Sequence, residues 1–529
     1  MGKHADRVPV SEPWMPTEGG TAWLQRRLKP ATTGQRARSG DRRTTEGAAT
    51  GANGTGLSIA FRIAGPTIDL MASRVLLISQ NRCDQPYPVY PLGLAHLDAA
   101  LHRAGHTTRV HDCRVTREPV EDILAEFRPD VVGISLRNID DIQFVSRQTY
   151  FGDAIALCRT IRSRCSCPVV LGGSAFSIFP EPLLRLTEAD YGIHGAGEVA
   201  FERLINALAA GADPSAIPGL VHHRGEKIVI NPRVPVEAAS LGPAERQPDL
   251  VEYYLKRSSM LNISTQRGCG LPCCFCTYPL IEGRENRRRD PEAVADELAG
   301  LQQQGAKHVF VTDAVFNLTN EHVAGVCEAI LRRGIRLTWT CFLRPKNLTR
   351  ELMELMAKAG LTHIEFGADS FCDEVLAEYG KTFSFADVVQ STQLARAARV
   401  HCSHFVICGG PGETLSTLQA GFENAQHLTG AVVFALAGMR IYPGTPLFSR
   451  AQREGVLSAD SDLLDPVYYV SPALTGAQVL EQLAEFGRRA SHWIVGPLLP
   501  RFAAIADQLR QRGVVGPLWE YYGALRRMS

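Results

Sequence analysis

At 529 residues the chain exceeds one ordinary domain, and length alone predicts two or three. Hydrophobic residues make up 45% and charged residues 21%, which excludes wholesale disorder. Lys plus Arg (56) nearly cancel Asp plus Glu (55), so the formal charge of +1 leaves no global field for gripping nucleic acid or an anionic membrane. The 14 cysteines are too sparse for a disulfide scaffold. Without a signal-peptide pattern or a run of about 18 apolar residues, the expected setting is a reducing cytoplasm, with no membrane span. Clustered cysteines there point to metal or redox chemistry.

In chain order, residues 1–70 are expected to form a disordered tail, since Lys29 to Gly56 is rich in Arg, Thr, Gly, Ala and Ser and has no apolar period. From Arg74 the pattern alternates. Strands are predicted at Arg74–Ser79, Thr108–His111, Asp130–Ser135, Pro168–Gly172 and Ala189–Ile193, with helices between them. Pro91 to Ala104 carries apolar residues at helical spacing, and Gly105 stands where a C-cap belongs. Short apolar strands between helices imply a parallel sheet covered on both faces, a doubly wound Rossmann-like domain over 71–212. The prolines and polar residues of 213–254 read as a linker with one hairpin around Gly225.

A second alternating series fills 255–450. Its strands are predicted at Leu261–Ser264, His308–Thr312, Arg336–Phe342, His363–Phe366, His404–Cys408 and Val432–Ile441. Six βα units fit a partial (β/α)6 TIM-like barrel, with its site at the strand C-termini. Residues 451–529 read as a helical C-terminal cap whose aromatics, including Tyr468, Tyr469, Trp493 and Trp519, favour core packing over ligand stacking. The fold class is therefore α/β, with two such domains in series.

After the first barrel strand comes Cys269-x3-Cys273-x2-Cys276. Three thiolates within eight residues can wrap one metal centre, and soft sulfur selects zinc or iron–sulfur. A structural zinc site or a ferredoxin run would supply a fourth ligand nearby, and the next cysteine is Cys327, inside a predicted helix. Three ligands and a gap describe a cluster with one iron left open. Cys274 is expected to pack away from it.

This spacing, with the aromatic Phe275 before the last cysteine and its place after strand one of a βα barrel, resembles the radical S-adenosylmethionine (SAM) enzymes. The resemblance implies that Cys269, Cys273 and Cys276 hold a [4Fe–4S] cluster whose open iron chelates SAM. It also implies SAM contacts from Phe275, Asp313 at the end of the second strand, Arg344, and Asp369 in Gly367-Ala-Asp-Ser370. In that last motif Asp replaces the family's Glu. Gly410 in Gly409-Gly-Pro-Gly-Glu413, and Tyr442, complete the implied set. Arg287 to Arg289 read as a solvated basic run, from which one arginine could reach a carboxylate.

The N-terminal domain lacks a G-x-G-x-x-G fingerprint after its first strand, which argues against a dinucleotide. Placed ahead of such a barrel, and carrying Pro91-Leu-Gly93-Leu, Gly133-Ile-Ser135 and Gly172-Gly173-Ser174, it resembles the cobalamin-binding domain of the cobalamin-dependent radical SAM branch. Implied cobalamin contacts are Arg82, Ser135, Arg137, Gly172, Gly173, Ser174, Gly195, Gly197 and Glu198. The Asp-x-His-x-x-Gly motif is absent, so no histidine ligand to cobalt is implied, and Arg82, Asn81 or Arg137 would face the lower side of the metal.

The resemblance implies a methyltransferase. A 5′-deoxyadenosyl radical would take hydrogen from an unactivated carbon of a small-molecule substrate, methylcobalamin would supply the methyl group, and an electron donor such as flavodoxin or ferredoxin would reduce the cluster. The alternatives are a cobalamin-dependent radical SAM cyclase or oxidoreductase without methyl transfer, and a non-catalytic cobalamin- or cluster-binding regulator.

Overall fold

The computed structural model describes residues 72–523, apart from 85–86, 238–241, 459–460 and 497–499. The expected tail over 1–70 lies outside the described residues. Two seven-stranded sheets organise the chain.

The first contains β1 (Arg74–Ser79), β2 (Thr107–Asp112), β3 (Val131–Ser135), β4 (Val169–Gly172), β5 (Tyr191–Ile193), β6 (Leu220–Arg224) and β7 (Lys227–Ile230), in the order β2-β1-β3-β4-β5-β6-β7. β1 to β5 are parallel. Their apolar runs follow from burial on both faces. Leu76, Ile78, Val132 and Ile134 pack with Ile123, Ile161 and Phe176, whereas Val75, Leu77 and Val131 pack with Leu94, Leu101 and Phe201. Alternate side chains thus enter two separate cores, as a doubly wound sheet requires. The direction of winding reverses at β1, so β1 and β3 open a crevice at their C-terminal ends.

The hairpin expected inside a linker is hydrogen-bonded into this sheet. β6 runs antiparallel to β5, and β7 to β6, with Gly225 at positive φ in the turn. The expected hairpin is present, and residues 220–230 are sheet rather than spacer because β6 pairs with β5. A helix at Pro248–Ser258 then leads into the second series, and its Tyr254 hydroxyl donates to Asp112 at 2.8 Å.

That series begins at β8 (Leu261–Ile263). Two short strands, β9 (Gln266–Arg267) and β10 (Arg287–Arg288), pair antiparallel, and β11 (His308–Val311), β12 (Thr338–Leu343), β13 (Leu361–Asp369), β14 (His401–Cys408) and β15 (Val432–Ala437) follow. The strand expected to reach Ile441 breaks at Gly438. Beyond it β16 (Met439–Arg440) pairs with β17 (Tyr468–Tyr469). The sheet is completed by β18 (Trp493–Val495), parallel to β15, giving β8-β11-β12-β13-β14-β15-β18. The partial barrel thus has seven strands, not six, with β8 and β18 at its edges. Three residues between helices Gly476–Arg489 and Pro500–Gln511 are too short a run to be read as a strand.

The tail aromatics Tyr468, Tyr469, Trp493, Trp519 and Tyr522 are buried, in keeping with core packing. Among the described residues no helix is long and apolar enough to cross a membrane. A buried Arg440–Asp140 pair (2.8 Å), with partners 300 residues apart, ties the end of the barrel to the loop after β3.

Candidate functional site

The cysteine loop is closed at its base before any metal is considered. β9 and β10 clamp its two ends by pairing Gln266 with Arg288 and Arg267 with Arg287. Gly268 has φ +85, and a Cβ there would lie 1.9 Å from the Glu285 carbonyl oxygen, so only glycine lets the chain turn into the loop. Asp313 accepts from the backbone N–H of Thr265 (2.7 Å) and Gln266 (3.2 Å), stapling the loop entrance to the end of β11. Burial raises its pKa to about 6.

Cys269, Cys273 and Cys276 line one cavity of about 180 Å³ together with Phe275, Tyr278, Phe342, Arg344, Asp369 and Lys381. No fourth cysteine or histidine is in its wall. Burial pushes the Cys269 thiol up and the Cys276 thiol up to about 12, so a positive metal centre is needed to make thiolates of them at neutral pH. Three converging soft ligands and no fourth fit a [4Fe–4S] cluster with an open iron. Cys274 takes no part: its thiol packs in the apolar cluster with Tyr379 and Leu447.

Lys381 was not foreseen. Its ammonium is ion-paired with Asp369, lies 3.6 Å from the Cys273 sulfur and sits 5.4 Å from the Phe275 ring centroid. Burial opposes this charge, but Asp369 and Cys273 outweigh it and hold the lysine protonated. Only a solvent-averse setting, between Tyr379 and Phe383, marks it in the sequence. Asp369 itself sits at φ +63 where β13 loses register with β14, a strained position that turns its carboxylate toward the cavity. The Arg344 guanidinium keeps a buried Nε without a partner, an orphaned donor suited to a ligand carboxylate.

Three expected SAM contacts lie elsewhere. Asp313 is the staple just described. Gly410 faces the Tyr379 hydroxyl, 2.2 Å from where a Cβ would stand, and its N–H donates to Glu413 at 3.2 Å, so that loop is closed by protein. Tyr442 packs against the Arg440 guanidinium (4.8 Å) and Phe179 (6.3 Å).

The second cavity, about 340 Å³, lies where the C-terminal ends of β1, β3, β4 and β5 meet those of β8 and β11. Ser135, Arg137, Gly172, Gly173, Ser174, Gly195, Gly197 and Glu198 all line it, as does Asn81. An apolar recess formed by Leu77, Leu94, Gly133, Val170, Ile193 and Phe201 continues into the sheet. Gly173 has φ +93 and its Cβ would meet the Leu136 carbonyl at 2.4 Å, so the turn after β4 depends on it. A broad cleft of backbone and small side chains with an apolar slot beneath fits a corrin and its nucleotide tail. Arg82 does not line it; its mostly exposed side chain points to Asp153 at 3.8 Å.

Sequence reasoning named Glu198 but missed its partner. Arg267 donates to the buried Glu198 at 2.7 Å, fastening the first domain to the cysteine loop in the wall of the larger cavity. Burial works against the Glu198 carboxylate, yet the Arg267 charge outweighs it and holds the pKa near 2. His96 lines the same cavity, and burial lowers its pKa to about 4, so the ring is neutral.

Comparison with known proteins agrees with this geometry. Residues 263–423 match the radical SAM superfamily model, and residues 85–205 match the B12 binding domain model. Tryptophan 2-C-methyltransferase of Streptomyces laurentii is 28% identical over 445 residues, covering 71% of this chain and 74% of that protein. Hopanoid C-3 methylase of Methylococcus capsulatus is 29% identical, covering 58% of each. The structure of TsrM, a radical S-adenosylmethionine methyltransferase from Kitasatospora setae with cobalamin and a [4Fe–4S] cluster bound, superposes with a TM-score of 0.77 at 24% identity, over 87% of this chain and 98% of that one. That last likeness is one of fold. In chain order, a match to the B12 binding domain is thus followed by a match to the radical SAM superfamily, on the two sheets that carry the two cavities.

Proposed function

We propose that this protein is a cobalamin-dependent radical SAM methyltransferase that adds a methyl group to a carbon of a small molecule. The observation that carries the reading is the adjacency of the two cavities, with Tyr278 in the wall of each. A methyl donor site and a radical-generating site that share a wall can act on one substrate held between them. Both named relatives above are methylating enzymes by name, which supports the same outcome over ring formation.

In this reading Cys269, Cys273 and Cys276 hold the cluster, Arg344 takes the carboxylate of SAM, and Asp369 with Lys381 fixes the polar wall beside it. Ser135, Gly172, Gly173, Ser174, Gly195 and Gly197 carry the corrin on backbone and small side chains. When bound, the cluster and cobalamin supply the one-electron and methyl-transfer chemistry that no side chain can. The protein's share is to position, to keep water out and to hold charge. The domain boundaries that follow are 72–230 for the corrin domain and 248–450 for the barrel core, and a low-potential donor such as flavodoxin or ferredoxin provides electrons.

The test is anaerobic reconstitution with iron, sulfide and hydroxocobalamin, followed by incubation with methyl-labelled SAM, a reductant and metabolite fractions. A product that gains one labelled methyl group is expected. A product that loses hydrogen or water and gains no label would overturn methyl transfer in favour of a cyclase or oxidoreductase.

A further inference from the structure

Tyr278 is the one residue common to the linings of both cavities. The chain around it is held by the protein. Just downstream, the Arg233 guanidinium donates to the carbonyls of Pro279 (2.8 Å), Leu280 and Ile281 (2.7 Å), and Arg233 follows directly on the β7 edge of the corrin-binding sheet. The helix Ser174–Ile178, which starts in the corrin cavity, packs on the short helix Tyr278–Ile281. The main chain beside the ring is therefore held in place.

That side chain ends in a hydroxyl with no hydrogen-bond partner among the described residues. A ligand in either cavity that offers an acceptor can take this hydrogen bond and hold the ring. Once the ring is fixed by that first ligand, the wall of the other cavity is already ordered. The second ligand then loses less conformational freedom on binding.

We propose that Tyr278 couples the two cofactor cavities, so that SAM on the cluster side tightens cobalamin on the corrin side, and the reverse by the same factor. The inference rests on the cofactor assignment above and goes beyond it by naming the side chain that links the sites. A tyrosine with a purely structural role would hold the fold and leave the two affinities independent.

Cluster-reconstituted, cobalamin-free protein is titrated with hydroxocobalamin, with and without SAM. In parallel, SAM binding is followed through the change in the cluster's electron paramagnetic resonance spectrum, with and without hydroxocobalamin. In the wild type, SAM is expected to tighten hydroxocobalamin by about fivefold or more, the lower range of measured couplings. Tyr278→Ala is expected to keep its iron and lower that factor to one, while Tyr278→Phe, which keeps the ring and loses the hydroxyl, falls between. Equal coupling in the wild type and in Tyr278→Ala, or no coupling in the wild type, would overturn the proposal. Should Tyr278→Ala lose its iron, Tyr278→Phe decides: reduced coupling supports the proposal and unchanged coupling overturns it. A wild type that binds no hydroxocobalamin overturns the cofactor reading together with the proposal. Coupling without methyl transfer to any substrate overturns only the methyltransferase.

Discussion

The cluster cavity and the corrin cavity meet at one tyrosine and are built by different means. The smaller gathers chemistry into side chains: three thiols from eight residues of loop, a lysine, an arginine and an aspartate. The larger gathers glycines, serines and backbone from the ends of strands spread over more than 100 residues, above an apolar slot. A metal centre is bound by a few strong directional bonds, so its site is short, specific and intolerant. A large flat organic cofactor is bound by shape and many weak contacts, so its site needs room more than reactive groups. Substitutions in the two cavities should therefore fail differently.

The largest effect is expected at the thiols. Replacing Cys269, Cys273 or Cys276 with Ala should bring both bound iron and SAM cleavage to background, while bound cobalamin stays near the wild-type ratio; iron assay, deoxyadenosine formation and cobalamin absorbance measure this. Cys274→Ala, whose thiol packs in the apolar cluster, is the matched control and should retain its iron. Next comes the reciprocal experiment. A Cβ at Gly172 meets nothing within 4 Å, so Gly172→Leu should fold, project into the larger cavity and weaken hydroxocobalamin about a hundredfold, close to 3 kcal/mol. Its iron content should not change. If iron falls in step with cobalamin, the cavities are not separable and the contrast collapses.

The charged groups sharpen the comparison at a lower level. Lys381→Met leaves Asp369 buried without its cation and should cost about 3–5 kcal/mol in denaturant unfolding. Adding Asp369→Asn should recover a large part of that loss, since both charges are then gone. Glu198→Gln, in the wall of the larger cavity, should cost about 3 kcal/mol at neutral pH. Because the Glu198 pKa is held down near 2, its contribution is complete above the ordinary carboxylate pKa of 4.5 and is lost as pH falls toward 2. The stability gap between wild type and variant should thus be flat from pH 5 to 8, about the range tested, and shrink in acid. A gap that widened in acid would remove the ion pair as its cause.

The smallest effect is expected outside the linings of both cavities. Glu365 is buried, accepts from the Trp519 indole N–H at 3.1 Å, and has a pKa raised to about 7 by burial. A folded carboxyl that keeps its proton longer than the unfolded one loses stability as pH rises from about 4.5 through 7. Glu365→Gln retains an acceptor for Trp519 and cannot ionise. It should raise the melting temperature at pH 8 by a few degrees, have no such effect at pH 5, and leave iron and cobalamin loading intact.

How much could be read in advance follows the same division. The Cys-x3-Cys-x2-Cys spacing is local, so the cluster ligands were legible without a fold. Asp313, Gly410 and Tyr442 were named from positions at strand ends, yet position at an end does not say which way a side chain turns. Asp313 turned back to staple Thr265 and Gln266, and Tyr442 turned onto Arg440. Arg82 follows directly on Asn81, which lines the crevice, but its side chain turns outward to Asp153. Lys381, Arg267 and Tyr278 went unnoticed because each gains its meaning from a partner far away in sequence or from a cavity. The hairpin around Gly225 was legible but its pairing with β5 was not, and the three residues Trp493–Val495 were too short a run to be read as a strand.

By itself the sequence determined two alternating α/β series, the glycine-bearing strand ends of the first and a three-thiol loop in the second. These depend on periodicity and spacing within a few residues, where local sterics and burial leave little choice. Tertiary structure decided which strand-end groups face a ligand, and it joined residues such as Arg440 and Asp140 or Arg267 and Glu198 across domains. It also placed Tyr278 between the two cavities. Those outcomes depend on packing between elements distant in the chain, and packing is what positions a side chain once its strand is formed.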